Sequence, residues 1–113
     1  MQIRTQAPLD QTVRARFYRG LADPSRLGIL DCLAAGERTA GDVAAAAGLS
    51  PSNASRHLAC LRDCGLVEAR QDWRFVYYRL ADGVADLLAA DTPFISRVAD
   101  LIAGCERPEM GDR

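Results

Sequence analysis

The hydrophobic period of this chain changes once in mid-sequence, at Gly65, and that change limits the possible folds more than any other feature. Before it, PSNASRHLACLRDC places Leu58 and Leu61 at helical spacing. Ser50 stands ahead as an N-cap, Pro51 at the first helical position, and Gly65 in the C′ place that accepts left-handed geometry. After it, LVEAR and FVYYRL alternate with a period of two around a polar QDW, which predicts two short strands joined by a turn. A recognition-sized helix running directly into a hairpin fits few architectures.

The flanking segments narrow the choice further. Residues 10–22 carry Val13, Phe17 and Leu21 at helical spacing, with Asp10 as a candidate N-cap. Asp23 and Pro24 then open a second helix through Leu27, Ile29, Leu30 and Leu33 that stops at Gly36. Thr39 opens a short third helix, AGDVAAAA, closed by Gly48. Helical spacing returns after Asp82 in VADLLAA. DTP at 91–93 interrupts it, where Thr92 can cap and Pro93 can start a further helix reaching Gly104. The spacing leaves open one kinked helix or two.

Three helices, a capped fourth, a hairpin and a closing helical segment predict a mainly α chain with a β-hairpin, a winged helix-turn-helix. The third and fourth helices, joined by GLSP, form the reading unit. The fourth helix suits the major groove, and the hairpin forms a wing that reaches the backbone or minor groove. At 113 residues the chain reads as one domain, 1–113, with an ordered core over 8–104 and a tail at 105–113. So short a chain buries a modest core, and dimerisation adds buried surface.

The net charge is −1, but it is unevenly spread. Residues 51–80 hold five Arg against three acids, and residues 81–113 hold three Arg against seven acids. A locally basic middle beside an acidic end suits a specific DNA reader with weak non-specific affinity. The N-terminus lacks the apolar run of a signal peptide, and no stretch of about 20 apolar residues offers a membrane span. The expected location is therefore cytoplasmic, with no membrane partner. In that compartment four cysteines imply metal binding, redox chemistry or plain packing.

Chemistry narrows the candidate sites. The third helix has no Cys, and His57 is the only histidine, so an imidazole zinc site lacks its ligands. No acid neighbours His57 in sequence and no Gly-rich loop suggests a substrate pocket. An enzyme and an organic cofactor are not expected. His57 reads as a DNA-contacting or packed residue. Cys60 and Cys64 stand one turn apart, roughly 40° around the helix, so both sulfurs can reach one ion. Both also adjoin the side carrying Leu58 and Leu61, where a free Cys can serve as a small buried hydrophobe. Spacing alone allows either reading.

The segments LADPSRLGIL (21–30), GLSPSNASRHLACLRDCGLV (48–67) and VYYRL (76–80) resemble the ArsR/SmtB family of bacterial metal-sensing repressors, across nearly the whole chain. The resemblance implies a homodimer, joined through its first and last helices, that binds an operator palindrome without inducer and leaves it when metal binds. It places DNA contacts at Ser52, Asn53, Ser55, Arg56 and His57, with Arg70, Arg74 and Trp73 on the wing. Residue chemistry agrees: Asn pairs with adenine, Arg with guanine, and Ser with bases or phosphate.

A cadmium- and lead-sensing branch of that family carries CLRxCGLV at this place and takes a third thiolate from near the C-terminus. Here CLRDCGLV is followed by Cys105 in AGCERPE. The resemblance thus implies a three-sulfur site of Cys60, Cys64 and Cys105, with Cd(II) or Pb(II) as inducer. Soft thiolates favour such ions. Whether Cys105 comes from the same or the partner subunit stays open. A redox- or persulfide-responsive repressor, or an arsenite-responsive one, is the alternative on the same fold. A persulfide-sensing branch has its second-helix Cys where this chain has Asp31. Cys32 is turned from that position by about 100° and reads as buried packing.

Overall fold

Four polar residues start the first four helices of this molecule. In the computed structural model, which describes residues 9–104, α1 (Gln11–Leu21) begins where the Asp10 carboxylate accepts from the Thr12 amide. Asp23 does the same for α2 (Pro24–Ala34) through the Ser25 amide, and Thr39 for α3 (Ala40–Ala47) through the Asp42 amide. Ser50 Oγ accepts from Asn53 N at 3.2 Å to start α4 (Pro51–Asp63). Each cap satisfies an amide that the helix itself leaves unpaired, worth about 1 kcal/mol. Gly48 and Gly65, at φ 70° and 79°, turn the chain out of α3 and α4 in left-handed geometry that a side chain would resist.

The residues up to Ala81 form one compact unit and those from Asp82 another. In the first, α2, α3 and α4 enclose a core of Ile29, Leu30, Leu33, Val43, Ala44, Ala54, Leu58 and Leu61, continued by Leu66 and Val67. Ala54, Leu58 and Leu61 follow helical spacing and are almost fully removed from water. Burial of each leucine of this kind stabilises the fold by roughly 1.5–3 kcal/mol. The hairpin is β2 (Val67–Asp72) and β3 (Phe75–Leu80), antiparallel, with Arg70 opposite Tyr77 and Glu68 opposite Arg79.

The hairpin turn is tighter than the sequence predicts. Gln71 and Asp72 belong to β2, leaving Trp73 and Arg74 as a two-residue turn. A third strand, β1 (Arg38–Thr39), pairs antiparallel with β3 and gives the order β1-β3-β2. The molecule is thus a winged helix-turn-helix whose wing has a short extra strand between α2 and α3. Two residues are too few to show an alternation, so β1 carries no periodic signal.

Among its described residues the second unit holds one helix, α5 (Val84–Gly104), which runs through Pro93 without a break. Thr92 therefore does not cap a new helix. Its hydroxyl donates to the Leu88 carbonyl four residues back at 3.4 Å, while Pro93, lacking an N–H, offers the Ala89 carbonyl no helical donor. The helix exposes Leu87, Phe94, Ile95, Leu101 and Ile102. Among the described residues no helix is long and apolar enough to cross a membrane. The tail 105–113, with Cys105, lies outside the described residues.

Leu58→Ala empties the centre of the stripe that seats α4. Urea denaturation followed by circular dichroism should show a loss of about 3 kcal/mol. A loss under 1 kcal/mol would mean that α4 is not held by this contact.

Candidate nucleic-acid interface and thiol pair

The stripe that seats α4 decides which of its residues face outward. With Ala54, Leu58 and Leu61 buried, Ser52, Asn53, Ser55 and Arg56 are exposed near the N-terminal end of the helix. Arg56 Nη2 donates to Asn53 Oδ1 at 3.2 Å. The two side chains are held together on one exposed side of the helix.

His57 faces differently. It is half-buried, and its Nδ1 lies 3.8 Å from Asp23 Oδ2 at the start of α2. The sequence shows no acid near His57, but the fold supplies one. Asp23 also stands 3.3 Å from Arg26 Nη1, and Arg26 Nε donates to the Gly20 carbonyl at 2.6 Å. The end of α1, the start of α2 and the middle of α4 therefore meet through one small polar cluster.

At the wing tip Trp73 is 77% exposed and takes φ 63°, left-handed geometry that a glycine would adopt at lower cost. Arg74 lies over both neighbouring rings, with 5.2 Å from its guanidinium carbon to the centroids of Trp73 and Phe75. This exposed, cationic and aromatic tip can enter a minor groove or stack against a sugar.

Arg70, midway along β2, is already engaged. Its Nε and Nη2 donate to the two oxygens of Glu37, each at 2.8 Å, and Nη1 lies 3.4 Å from Asp72. The hydrogen bonds from Arg70 hold the Glu37 carboxyl below the usual carboxylate range, and the same pair raises Arg70. This pair supports the fold fully above the ordinary carboxylate pKa. Its contribution is lost only as pH falls through the lowered value.

Cys60 and Cys64 are both exposed in the subunit. Within the subunit neither is buried beside Leu58: Cys60 lies on α4's outer side and Cys64 at its C-cap. The Cys64 amide donates to the Cys60 carbonyl at 3.1 Å, fixing the two residues one turn apart. The Cys64 sulfur lies against α1, so close that a methyl group on Gly20 would stand 3.4 Å from it. Val13, Arg16 and Phe17 of α1 line a shallow groove with Asp63 and Cys64. The donor set suits a soft ion: two accessible thiols one turn apart and no histidine beside them. Among the described residues no third Cys, His, Asp or Glu completes a ligand cluster, and Cys105 lies outside them. Cys32 is half-buried on α2, and its carbonyl accepts from Arg38 Nε at 3.2 Å.

Residues 23–69 match the family model described as bacterial regulatory protein, arsR family. The chain is 50% identical to the HTH-type transcriptional regulator CmtR of Mycobacterium tuberculosis over 109 residues, covering 88% of this chain and 92% of that one. It is 48% identical to a probable mercury resistance operon repressor of Streptomyces lividans, over 66% of this chain and 60% of that one. The solution structure of the cadmium metal-sensor CMTR from M. tuberculosis superposes with a TM-score of 0.59 at 49% identity, covering 67% of this chain and 80% of that one. A homodimeric winged helix-turn-helix domain, Mb0332 from Mycobacterium bovis, superposes with a TM-score of 0.67 at 38% identity, covering 84% and 91%.

Exposure orders the thiols. Limited alkylation of the reduced protein, mapped by peptide mass, should label Cys60 and Cys64 before Cys32. Labelling of Cys32 first would show that the α4 thiols are sheltered.

Proposed function

We infer, from the premise that the chain belongs to the arsR family of bacterial regulatory proteins, that its inducer is a thiophilic metal ion. As a member of that family it is a transcriptional repressor that binds DNA through a winged helix-turn-helix as a homodimer, and it is not an enzyme. One observation carries the inference: two exposed thiols stand one turn apart on α4, the second helix of the helix-turn-helix.

On this reading Cys60 and Cys64 would hold the ion, with Cys105 as the third thiolate. Cd(II) or Pb(II) fits such a set, and the mercury repressor relative adds Hg(II) to the soft ions to be compared. When bound, the ion supplies a cross-link between thiolates, which must first lose their protons, so affinity falls with falling pH. The residues around the pair give it leverage. Cys60 shares α4 with Asn53 and Arg56, and Cys64 rests on α1 beside Gly20. Any shift of the two thiols relative to each other is felt by the reading helix and by α1 at once.

The exposed apolar residues Leu9, Val13 and Tyr18 near and on α1, and those of α5, supply surface for a dimer formed through the first and last helices. Two-fold symmetry then presents two α4 helices to a palindromic operator, with half-sites about one DNA turn apart. Ser52, Asn53, Ser55, Arg56 and His57 read or position each half-site, and Trp73 and Arg74 approach from the wing. Arg70 reaches the duplex only by leaving Glu37. A repressor of this kind works in the cytoplasm, where thiols stay reduced.

The test uses a duplex selected from a random pool by the reduced, metal-free protein. Cd(II) or Pb(II) should release the duplex while thiolate-to-metal absorption grows in the ultraviolet. Cys60→Ser and Cys105→Ser should bind the duplex normally and fail to release it. Release by both variants on adding Cd(II) would refute the assignment. Separately, Arg56→Ala should cost about 1–3 kcal/mol in duplex affinity and relax selection at one base pair per half-site, read by repeating the selection. An unchanged consensus would remove Arg56 from the base-reading set.

A further inference from the structure

Glu37 has no place in the reading unit or the thiol pair, yet it makes a two-point contact across the sheet. It lies between the end of α2 and β1, one residue before the strand and two before the α3 cap Thr39. Its carboxylate meets Arg70 on β2, the far edge strand, in a fork of two 2.8 Å bonds. The guanidinium crosses the middle strand to make it, lying 4.9 Å from the ring centroid of Tyr77. Tyr77 is the cross-strand partner of Arg70 on one side and of Thr39 on the other. β1 itself offers only two residues of pairing to β3. The fork thus adds to the β1–β3 pairing a tie between the wing and the segment leading into the reading unit, and it reaches β2.

The charge around Arg70 argues against its serving a phosphate. Strand alternation puts Glu68, Arg70 and Asp72 on one face of β2, opposite Arg79, Tyr77 and Phe75 of β3. There Arg79 Nη2 contacts Glu68 at 2.7 Å, while Glu37 and Asp72 hold Arg70. Three carboxylates face two guanidiniums, and an incoming phosphate would have to displace a bidentate carboxylate in this company. The hydrogen bonds from Arg70 hold the Glu37 carboxyl below its usual range.

We propose that Glu37 is a positioning residue for DNA binding: through its fork to Arg70 it fixes the wing on the helix-turn-helix, and Arg70 serves the wing's orientation instead of a phosphate. The proposal rests on the reading of Trp73 and Arg74 as the DNA-facing tip. It assigns the wing's cationic work to Arg74 and its placement to the Glu37–Arg70 pair.

The chain reports on this directly, because Trp73 is its single tryptophan and sits at the wing tip. The variants are Glu37→Gln, Arg70→Gln and the charge-swapped double variant Glu37→Arg/Arg70→Glu. Each is compared with wild type by time-resolved anisotropy of Trp73 and by salt-dependent affinity for the selected duplex. Each single variant should speed the local motion of Trp73 and weaken binding by about three-fold, the scale of an exposed ion pair. The slope of log affinity against log salt should not change, and the swapped pair should restore both readouts. A slope shallower by about 0.9 in Arg70→Gln would mark a lost phosphate contact and overturn the proposal. So would tighter binding by Glu37→Gln, which would make the carboxylate a mask on Arg70. Unchanged Trp73 motion in Glu37→Gln would overturn it as well. If the wild-type protein selected no duplex, the DNA-facing reading would fall, and the anisotropy alone would still decide the tie.

Discussion

The seat of α4 is the contact on which the rest of this structure depends. Ala54, Leu58 and Leu61 lie along one side of the helix and are buried against the α2 and α3 core. A helix pinned by one apolar stripe has no freedom in what it shows to solvent. Asn53, Arg56 and Cys60 recur at three- and four-residue spacing on the outer side, so the residues that suit base edges and the first thiol share one exposed surface. A ligand captured there acts on the reading helix itself, and no relay from a remote pocket is required.

The second consequence concerns where the helix ends. Gly65 stops α4 one residue after Cys64, which places the second thiol at the C-cap and against Gly20 of α1. Close by, Arg26 bonds the Gly20 carbonyl, and Asp23 links Arg26 to His57. Three helices converge within a few residues of the thiol pair. Allosteric coupling requires that inducer and DNA favour different arrangements of a shared element. Under the proposed assignment α4 would be that element, and α1, with its exposed apolar residues, would give a route by which the partner subunit feels the same change.

Much of this was legible in the sequence because it is local. Asp10, Asp23, Thr39 and Ser50 read as caps by residue type and position, and each accepts the expected amide. The period change at Gly65 predicts the hairpin, and along β2 buried Val67 and half-buried Ala69 alternate with exposed Glu68 and Arg70. What the sequence hid was set by partners distant along the chain. β1 is too short to carry a pattern. Pro93 reads as a helix start, yet α5 passes through it, with the Thr92 hydroxyl bonded to a carbonyl in the adjoining turn. The Asp23–His57 and Glu37–Arg70 pairs join elements that no spacing rule connects. The same holds for the thiols: spacing put Cys60 and Cys64 on one face, and their exposure in the subunit became visible only in the fold.

The central claim is that an inducing metal is held by sulfur on the DNA-reading helix. Cadmium K-edge X-ray absorption of the loaded protein measures the ligand shell directly. The account predicts a shell dominated by sulfur that loses sulfur neighbours in a Cys60→Ser/Cys64→Ser variant. A shell of oxygen and nitrogen, or a sulfur shell unaltered by removing both thiols, would contradict it.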